Sequence, residues 1–486
     1  MKFIIKLFPE ITIKSAPVRK RFIKQLRKNI RAILKPIDEN IESKGNWDFI
    51  EVTSSHDDPI LLAEIGDLLS HIPGIAYWLQ VADYPLVDLD DILEKAVEAH
   101  SAALAGETFR VRCQRSGSHT FTSVDVERFV GGGLNQWSEA TGVDLKNPDT
   151  TVRIDIKHNR FFMTQRRGEG LGGYPLGSQE PVLSLISGGF DSTVSSFLTT
   201  KRGIRTHFCF FNLGGHAHEL AVKEVAFYLW SRFGASHRVR FVTVPFEGVV
   251  EEILTQVDNS QMGVILKRMM LRAASRVGEE MEMSALVTGE AVAQVSSQTL
   301  TNLKVIDSVT DSLVLRPLIT MDKQDIIDLS VKIGTEEFAK NIPEYCAVIS
   351  KNPTTVAKEE KIAAEESRFD FTKLEEAIQN RREVSIHDII ADDLTREEVE
   401  VVHQTEKDDI IIDIRHPTEE EIKPFTLPDR EVIQVPFYQL RNRFLELDKT
   451  KHYLLYCEKG VMSQLHAMHL REEGHENVGV YTPDDH

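Results

Sequence analysis

The chain is predicted to be a multidomain α/β protein with a doubly wound parallel sheet near its centre, and three stretches carry that expectation. Pro181 to Leu198 (PVLSLISGGFDSTVSSFL) passes from a β-preferring apolar run through Ser-Gly-Gly-Phe-Asp-Ser into helical apolar spacing at Val194, Phe197 and Leu198. Apolar strands at 204–212 and 240–245 bracket a helix at 225–233, the alternation that builds a parallel sheet with ligands at the carboxyl ends of its strands. Towards the C-terminus, Ile410 to Arg415 and Tyr453 to Tyr456 read as buried strands, with a helix starting at about Ser463. A length of 486 residues accommodates three or four such domains.

From the N-terminus, residues 2 to 8 form a strand and Pro17 opens a helix. Val18, Phe22, Leu26, Ile30 and Ile33 give that helix an apolar side, and Arg19, Lys20, Lys24, Arg27, Lys28 and Arg31 lie elsewhere around it. Another strand at Trp47 to Val52 completes a small α/β unit, 1–59. The first 35 residues hold eleven Lys or Arg against one acidic residue, Glu10, although the whole chain carries a net charge of −18. A basic end on an acidic body is the footprint of a polyanion-binding region, and a solvated helix face is the plainer reading.

The next region, 60–167, opens with a helix (Leu61, Leu62, Ile65, Leu68, Leu69), then a strand at Thr108 to Cys113 bearing Arg110 and Arg112, with Arg115 beyond it, and a strand pair between Val152 and Thr164. Gly131 to Gly133 reads either as close backbone approach to RNA phosphates or as a helix-to-strand turn. Gly168 to Gly177 is expected to be a linker, leading into a domain at 177–394.

Within that domain, Ser187, Gly188, Gly189, Asp191 and Ser192 lie between strand and helix. Glycines there let backbone N–H groups approach a phosphate, and the helix dipole points at the same place. The segment lacks the Walker A and the Gly-x-Gly-x-x-Gly patterns. A carboxylate inside an anion cradle repels phosphate unless a cation intervenes, so Asp191 is expected to act through Mg²⁺, and no other residue is assigned as a metal ligand. Three later stretches can return to the ligand: Gly263 to Arg272 with Lys267, Leu286 to Gln298 with Gly289 and Glu290, and Arg316 to Asp325 with Lys323. His216 and His218 lack a third ligand nearby and are read as non-metal residues.

Four widely spaced cysteines without a C-x-x-C pair exclude a disulfide scaffold or structural zinc site. Cys209 sits in an apolar strand and is expected to be inert. Cys346 follows Pro-Glu-Tyr in a loop and is expected to be reactive. A charged helical stretch at 356–382 and an acidic tether at 392–409 lead to the last domain, 404–486. There Cys457 ends a strand and enters a loop, Glu458 to Ser463, ahead of a helix, where converging N–H groups stabilise a thiolate. MKFIIKLFPE is too short an apolar run for a signal peptide and no stretch suits a membrane span, so a soluble cytoplasmic protein without a membrane partner is expected.

The pattern Ser187-Gly188-Gly189-x-Asp191-Ser192 resembles the pyrophosphate loop (PP-loop) of adenine nucleotide alpha-hydrolases, which split ATP between its alpha and beta phosphates. Residues 60–167 resemble a THUMP RNA-binding domain, with the unit before them ferredoxin-like, and the Cys457 loop resembles that of rhodanese-like domains, whose cysteine carries a persulfide. Met462 stands where many rhodaneses have an arginine, which favours a protein persulfide over thiosulfate as donor. Together these features resemble the tRNA 4-thiouridine synthetase (ThiI) family in its long form with a C-terminal rhodanese domain. The resemblance implies ATP contacts at Leu185, Ile186, Lys267, Gly289 and Gln298, phosphate management by Asp191 and Lys323, adenylation of uridine O4, expected at position 8, and a persulfide on Cys457 resolved by Cys346. It further implies tRNA, a cysteine desulfurase and the sulfur carrier protein of thiamine synthesis as partners; a sulfur-delivery role without RNA is the alternative, and a homodimer is left open.

Overall fold

The computed structural model describes residues 1–213, 215–342, 352–389, 399–406, 409–428, 430–458 and 460–483. They form two compact units, Met1–Pro175 and Leu176–His486.

The first unit is one eight-stranded sheet with helices packed on it. Its strands are β1 (Lys2–Leu7), β2 (Glu42–Gly45), β3 (Phe49–Thr53), β4 (Ile75–Pro85), β5 (Thr108–Ser116), β6 (Gly142–Val143), β7 (Thr150–Lys157) and β8 (Arg160–Glu169), in the order β2-β3-β1-β4-β8-β7-β5-β6. β4 pairs antiparallel with both β1 and β8, so the sheet runs without interruption from the N-terminal α/β unit into the region that follows. The helix Ala16–Leu34 buries Phe22, Ile23, Leu26, Ile30 and Leu34 and leaves Lys20, Arg21, Lys24, Lys28 and Arg31 exposed, as its pattern requires. Arg19 departs from that division. Its guanidinium lies 4.4 Å from the Trp47 ring centre and 2.7 Å from Asp48.

Two glycine-rich stretches differ from expectation. Gly131 to Gly133 is neither a turn nor a phosphate-approach loop but the interior of the helix Ser123–Trp137, where a Cβ on Gly133 would stand 2.5 Å from Leu93 on the helix Leu89–His100. Close helix packing outweighs glycine's low helix propensity here. The supposed linker begins inside β8, and a Cβ on Gly168 or Gly170 would sit 2.3 Å from Trp78 or from the Ile75 carbonyl. Those glycines serve packing.

The second unit holds two sheets. Strands β9 (Gln179–Leu185), β10 (Ile204–Asn212), β11 (Arg240–Pro245), β12 (Leu286–Val287) and β13 (Val314–Leu315) are parallel, and β14 (Arg382–Ser385) closes one edge antiparallel to β11, in the order β13-β12-β9-β10-β11-β14. This is the expected doubly wound sheet. The stretch at 356–382 contributes two helices, Glu359–Glu366 and Phe371–Gln379, whose Ile362, Leu374, Ala377 and Ile378 join its core. The smaller sheet is all parallel: β15 (Val401–Val402), β16 (Ile410–Asp413), β17 (Val432–Gln434), β18 (Tyr453–Tyr456) and β19 (Val478–Tyr481), in the order β15-β19-β18-β16-β17. Val401 and Val402 were expected in a tether and instead pair with β19, because two adjacent valines fit a strand better than a solvated linker.

The two sheets meet through helices. His216–Leu229 is buried from His218 to Leu229 between its own sheet and Val461–Glu472 of the smaller domain. The Nδ1 atoms of His466 and His469 each lie 3.3 Å from Glu224 Oε1, and Phe437 packs against Tyr228 and Phe338 with ring centres 5.3 and 5.1 Å away.

Candidate active site: a phosphate cradle and a buried thiol

The cradle grows from the end of β9. Ile186 is buried and donates its N–H to the Cys209 carbonyl, and the chain then turns through Ser187 and Gly188. Gly188 has φ +81°, a conformation that glycine adopts freely, and a Cβ there would stand 2.4 Å from Ile342 Cδ1 and 3.3 Å from Val222 Cγ2. Gly189 caps the helix Phe190–Lys201 with no side chain covering its first N–H groups, the open, partly positive end that suits an anion. Ser192 Oγ accepts the Ser187 N–H at 3.1 Å and lies 3.1 Å from Ser187 Oγ, tying the turn to the helix.

Asp191 is held from both sides. Lys323 Nζ is 2.8 Å from Oδ1 and Gln294 Nε2 is 2.7 Å from Oδ2. Sequence reasoning placed Lys323 here and missed Gln294, although Gln294 falls inside the stretch singled out for returning to the ligand; nothing in its local pattern set it apart. Gly289 lies against the start of the same helix, and a Cβ would come within 2.6 Å of the Asp191 carbonyl carbon and the Ser192 nitrogen.

Lys267 is positioned by Glu290, at 2.8 Å, and Glu290 is also 2.8 Å from Arg316 Nε and accepts from Thr288 at 3.1 Å. Burial alone pushes the Glu290 carboxyl up, but Lys267 and Arg316 together bring it down to about 2. Arg316 also pairs with Asp307 and went unassigned from sequence. Gln298, in the short turn Ser296–Gln298, is 7% exposed and its Oε1 accepts no hydrogen bond among the described residues. His218 packs edge-on to Phe210 at 4.8 Å and His216 faces Glu472 at 3.4 Å, so the H-x-H pair is divided between two structural roles.

Cys457 belongs to the smaller sheet. It leaves β18 and accepts from the Ser463 N–H at 3.4 Å, with Ser463 Oγ at 3.3 Å. Burial pushes its thiol up, while Ser463 and the N–H groups of Met462 and Gly460 pull it back without overcoming burial. The expected cradle is present and favours the thiolate, but at 8% exposure desolvation outweighs it and holds the thiol above its ordinary value. Arg415 pairs with Asp413 at 2.7 Å and lies 5.3 Å from the Tyr456 ring centre, so the Asp-x-Arg of β16 buttresses the strand that delivers the cysteine. Cys209 is fully buried, its thiol pushed up to about 12, and is inert as expected. Cys346 lies outside the described residues.

A tRNA sulfurtransferase of Azotobacter vinelandii is 57% identical over 484 residues, spanning 99% of this chain and all of that protein. The chain belongs to the tRNA sulfurtransferase family. The relative from Saccharophagus degradans is 54% identical over 99% of the chain and the whole of its own length. Family models agree domain by domain: the ThiI ferredoxin-like domain at 2–78, THUMP at 87–165, the thiamine biosynthesis protein (ThiI) at 177–371 and the rhodanese-like domain at 397–482. Among solved structures, a 4-thiouridine synthetase bound to RNA and ATP superposes with a TM-score of 0.69 at 25% identity, covering 79% of this chain and 99% of that one. In these family terms, Gly289, Gln294 and Lys323 gather with the PP-loop at Asp191, Lys267 and Arg316 gather on Glu290, the residue after Gly289, and Cys457 stands apart on the rhodanese-like sheet.

Among the described residues no helix is long and apolar enough to cross a membrane.

Proposed function

We propose that the chain uses ATP to replace O4 of a tRNA uridine by sulfur, yielding 4-thiouridine. The observation that carries this reading is the open helix end at Gly189 with Asp191 clamped between Lys323 and Gln294, in a chain that also carries a cradled cysteine. A uracil carbonyl oxygen is a poor leaving group, and adenylation makes it one. The loop N–H groups and Lys323 hold the phosphates, Lys267 and Gln298 reach towards the nucleotide, and Leu185 and Ile186 flank the adenine. Mg²⁺ suits Asp191, a single carboxylate beside the phosphates, and when bound would neutralise phosphate charge. Attack by O4 on the alpha phosphorus releases pyrophosphate.

The terminal sulfur of a Cys457 persulfide then attacks C4 and expels AMP. Cys346 as thiolate attacks the Cys457 sulfur, freeing thiouridine and leaving a Cys346–Cys457 disulfide, which a dithiol reductant reopens with two electrons. A cysteine desulfurase supplies the persulfide. The thiamine label of the matching family model supports a second transfer, from Cys457 to a carrier protein, and RNA-free delivery alone would leave the exposed basic helix Ala16–Leu34 without a use.

The test is nucleoside analysis of tRNA incubated with protein, ATP and a persulfide donor. AMP, pyrophosphate and 4-thiouridine are expected, with thiolation lost in Cys457→Ser and limited to about one turnover in Cys346→Ser. Release of ADP and orthophosphate, or unchanged thiolation in Cys457→Ser, refutes the scheme.

A further inference from the structure

The large parallel sheet has a second polar opening, at the end opposite the phosphate loop. A cavity of about 580 Å³ is lined by Arg205 at the start of β10, Arg238 and Arg240 at the start of β11, Glu282 ahead of β12, Ser385 at the end of β14, and His207. Arg240 pairs with Glu383 at 3.2 Å. Arg205 and Arg238 have no ion pair or side-chain hydrogen bond among the described residues.

His207 is 4% exposed. Its Nδ1 accepts the Arg240 N–H at 3.1 Å, so the neutral ring carries its proton on Nε2, and that donor has no acceptor among the described residues. Burial, with Arg205 and Arg240 beside it, brings the ring down to about 4 and keeps it neutral at pH 7. A buried N–H donor without an acceptor, beside unpaired guanidinium groups in one cavity, is chemically complete once an oxyanion enters.

We infer that this cavity binds a backbone phosphate of the RNA substrate, with Arg205 and Arg238 supplying charge and His207 Nε2–H a directional donor. The inference rests on the reading of the chain as a tRNA-modifying enzyme. Arg205 and Asn212 are seven residues apart on β10, which puts the cavity about 23 Å from the strand ends that carry the nucleotide site. A polynucleotide engaged at one end can reach the other, and a mononucleotide cannot. The contact carries no sequence information; it fixes where the RNA lies.

The test measures tRNA binding by the full-length protein between 50 and 200 mM salt, comparing wild type with the Arg205→Ala/Arg238→Ala double variant. Loss of one phosphate contact should reduce the salt slope by about 0.9, so binding weakens about tenfold at 50 mM and about threefold at 200 mM. ATP affinity should stay unchanged. Arg276→Ala, removing an exposed arginine paired with Glu375, controls for a general loss of positive charge and should leave the slope as it was. An unaltered slope and affinity in the double variant overturns the site. Perturbation of the His207 ring signals by inorganic phosphate but not by tRNA overturns the RNA assignment in favour of a small anion. Failure of the wild-type protein to bind tRNA at all refutes the underlying functional reading, a result distinct from either of these.

Discussion

Glu290→Gln separates the carboxylate's charge from its shape. The wild-type side chain is buried between Lys267 and Arg316, each 2.8 Å away, and its carboxyl sits at about 2 against an ordinary 4.5. A depression of that size corresponds to about 3 kcal/mol of stability. Because the folded value is depressed, the contribution is full above pH 4.5 and is lost as pH falls through about 2, with roughly half gone by pH 3. The amide keeps the volume and removes the charge, leaving two cations close together. The melting temperature of the second unit should therefore drop by roughly 5–10 °C at pH 7, and the gap between wild type and variant should narrow below pH 4.5. Scanning calorimetry from pH 7 to pH 3.5, with ATP titration at pH 7, measures both; Lys267, no longer held, should weaken ATP binding. A drop below 2 °C, or a gap that does not change with pH, would refute the assignment of Glu290 as the group that holds Lys267 and Arg316.

Other outcomes follow from the same geometry. Lys323→Met should cut adenylation by about 10²–10³, measured as AMP release with tRNA present, while costing under about 1 kcal/mol of stability because the pair with Asp191 is partly exposed. Gly289→Ala places a carbon against the Asp191 backbone and should abolish ATP binding in a protein whose far-UV circular dichroism is unchanged; retained binding would show that the loop can shift. Ser463→Ala removes a partner that pulls the Cys457 thiol down, so alkylation of Cys457 should shift to higher pH. Docking of the rhodanese-like domain should weaken as pH rises above 6.5. His469 is raised by Glu224 and Glu473 against burial and against Arg441, so its contribution is full below 6.5 and lost as pH climbs through the higher folded value, while His466 beside it is lowered by burial. Amide exchange in Val461–Glu472, corrected for intrinsic base catalysis, should speed up with pH in wild type and lose that dependence in His469→Gln.

What the sequence made legible was local. Strands at 204–212, 240–245 and 453–456 have the bounds expected, because each is an apolar run ended by turn residues or charge. The cradle was legible for the same reason: glycine, serine and aspartate in a strand-to-helix context admit few conformations. Gln294 and Arg316 were not, since their partners Asp191 and Glu290 are 103 and 26 residues away and pairing over such spans leaves no local pattern. Gly133, Gly168 and Gly170 misled because a glycine needed for close packing is spelled like one needed for a turn. The Cys457 loop was legible as a cradle whose N–H groups favour the thiolate, whereas the burial that opposes them comes from the tertiary fold, which the loop pattern cannot report.

One helix joins the two chemistries. Val222 borders the position of Gly188, and Glu224, two residues on, receives both histidines of the rhodanese-like domain, so the helix that borders the phosphate loop also docks that domain. In the scheme proposed above, a persulfide is loaded on Cys457, which is 8% exposed here, and a disulfide with Cys346 requires the two Cα atoms to come within about 7 Å. That scheme calls for different arrangements of the same domain in its loading and resolving steps. The docking contacts suit such exchange: a carboxylate shared by two histidines and a cluster of three aromatic rings can be released more readily than a continuous apolar core. Ile342, which stands against the Gly188 position, also lines the crevice with Phe437, His466 and His469, so departure of the rhodanese-like domain would open that crevice beside the phosphate loop.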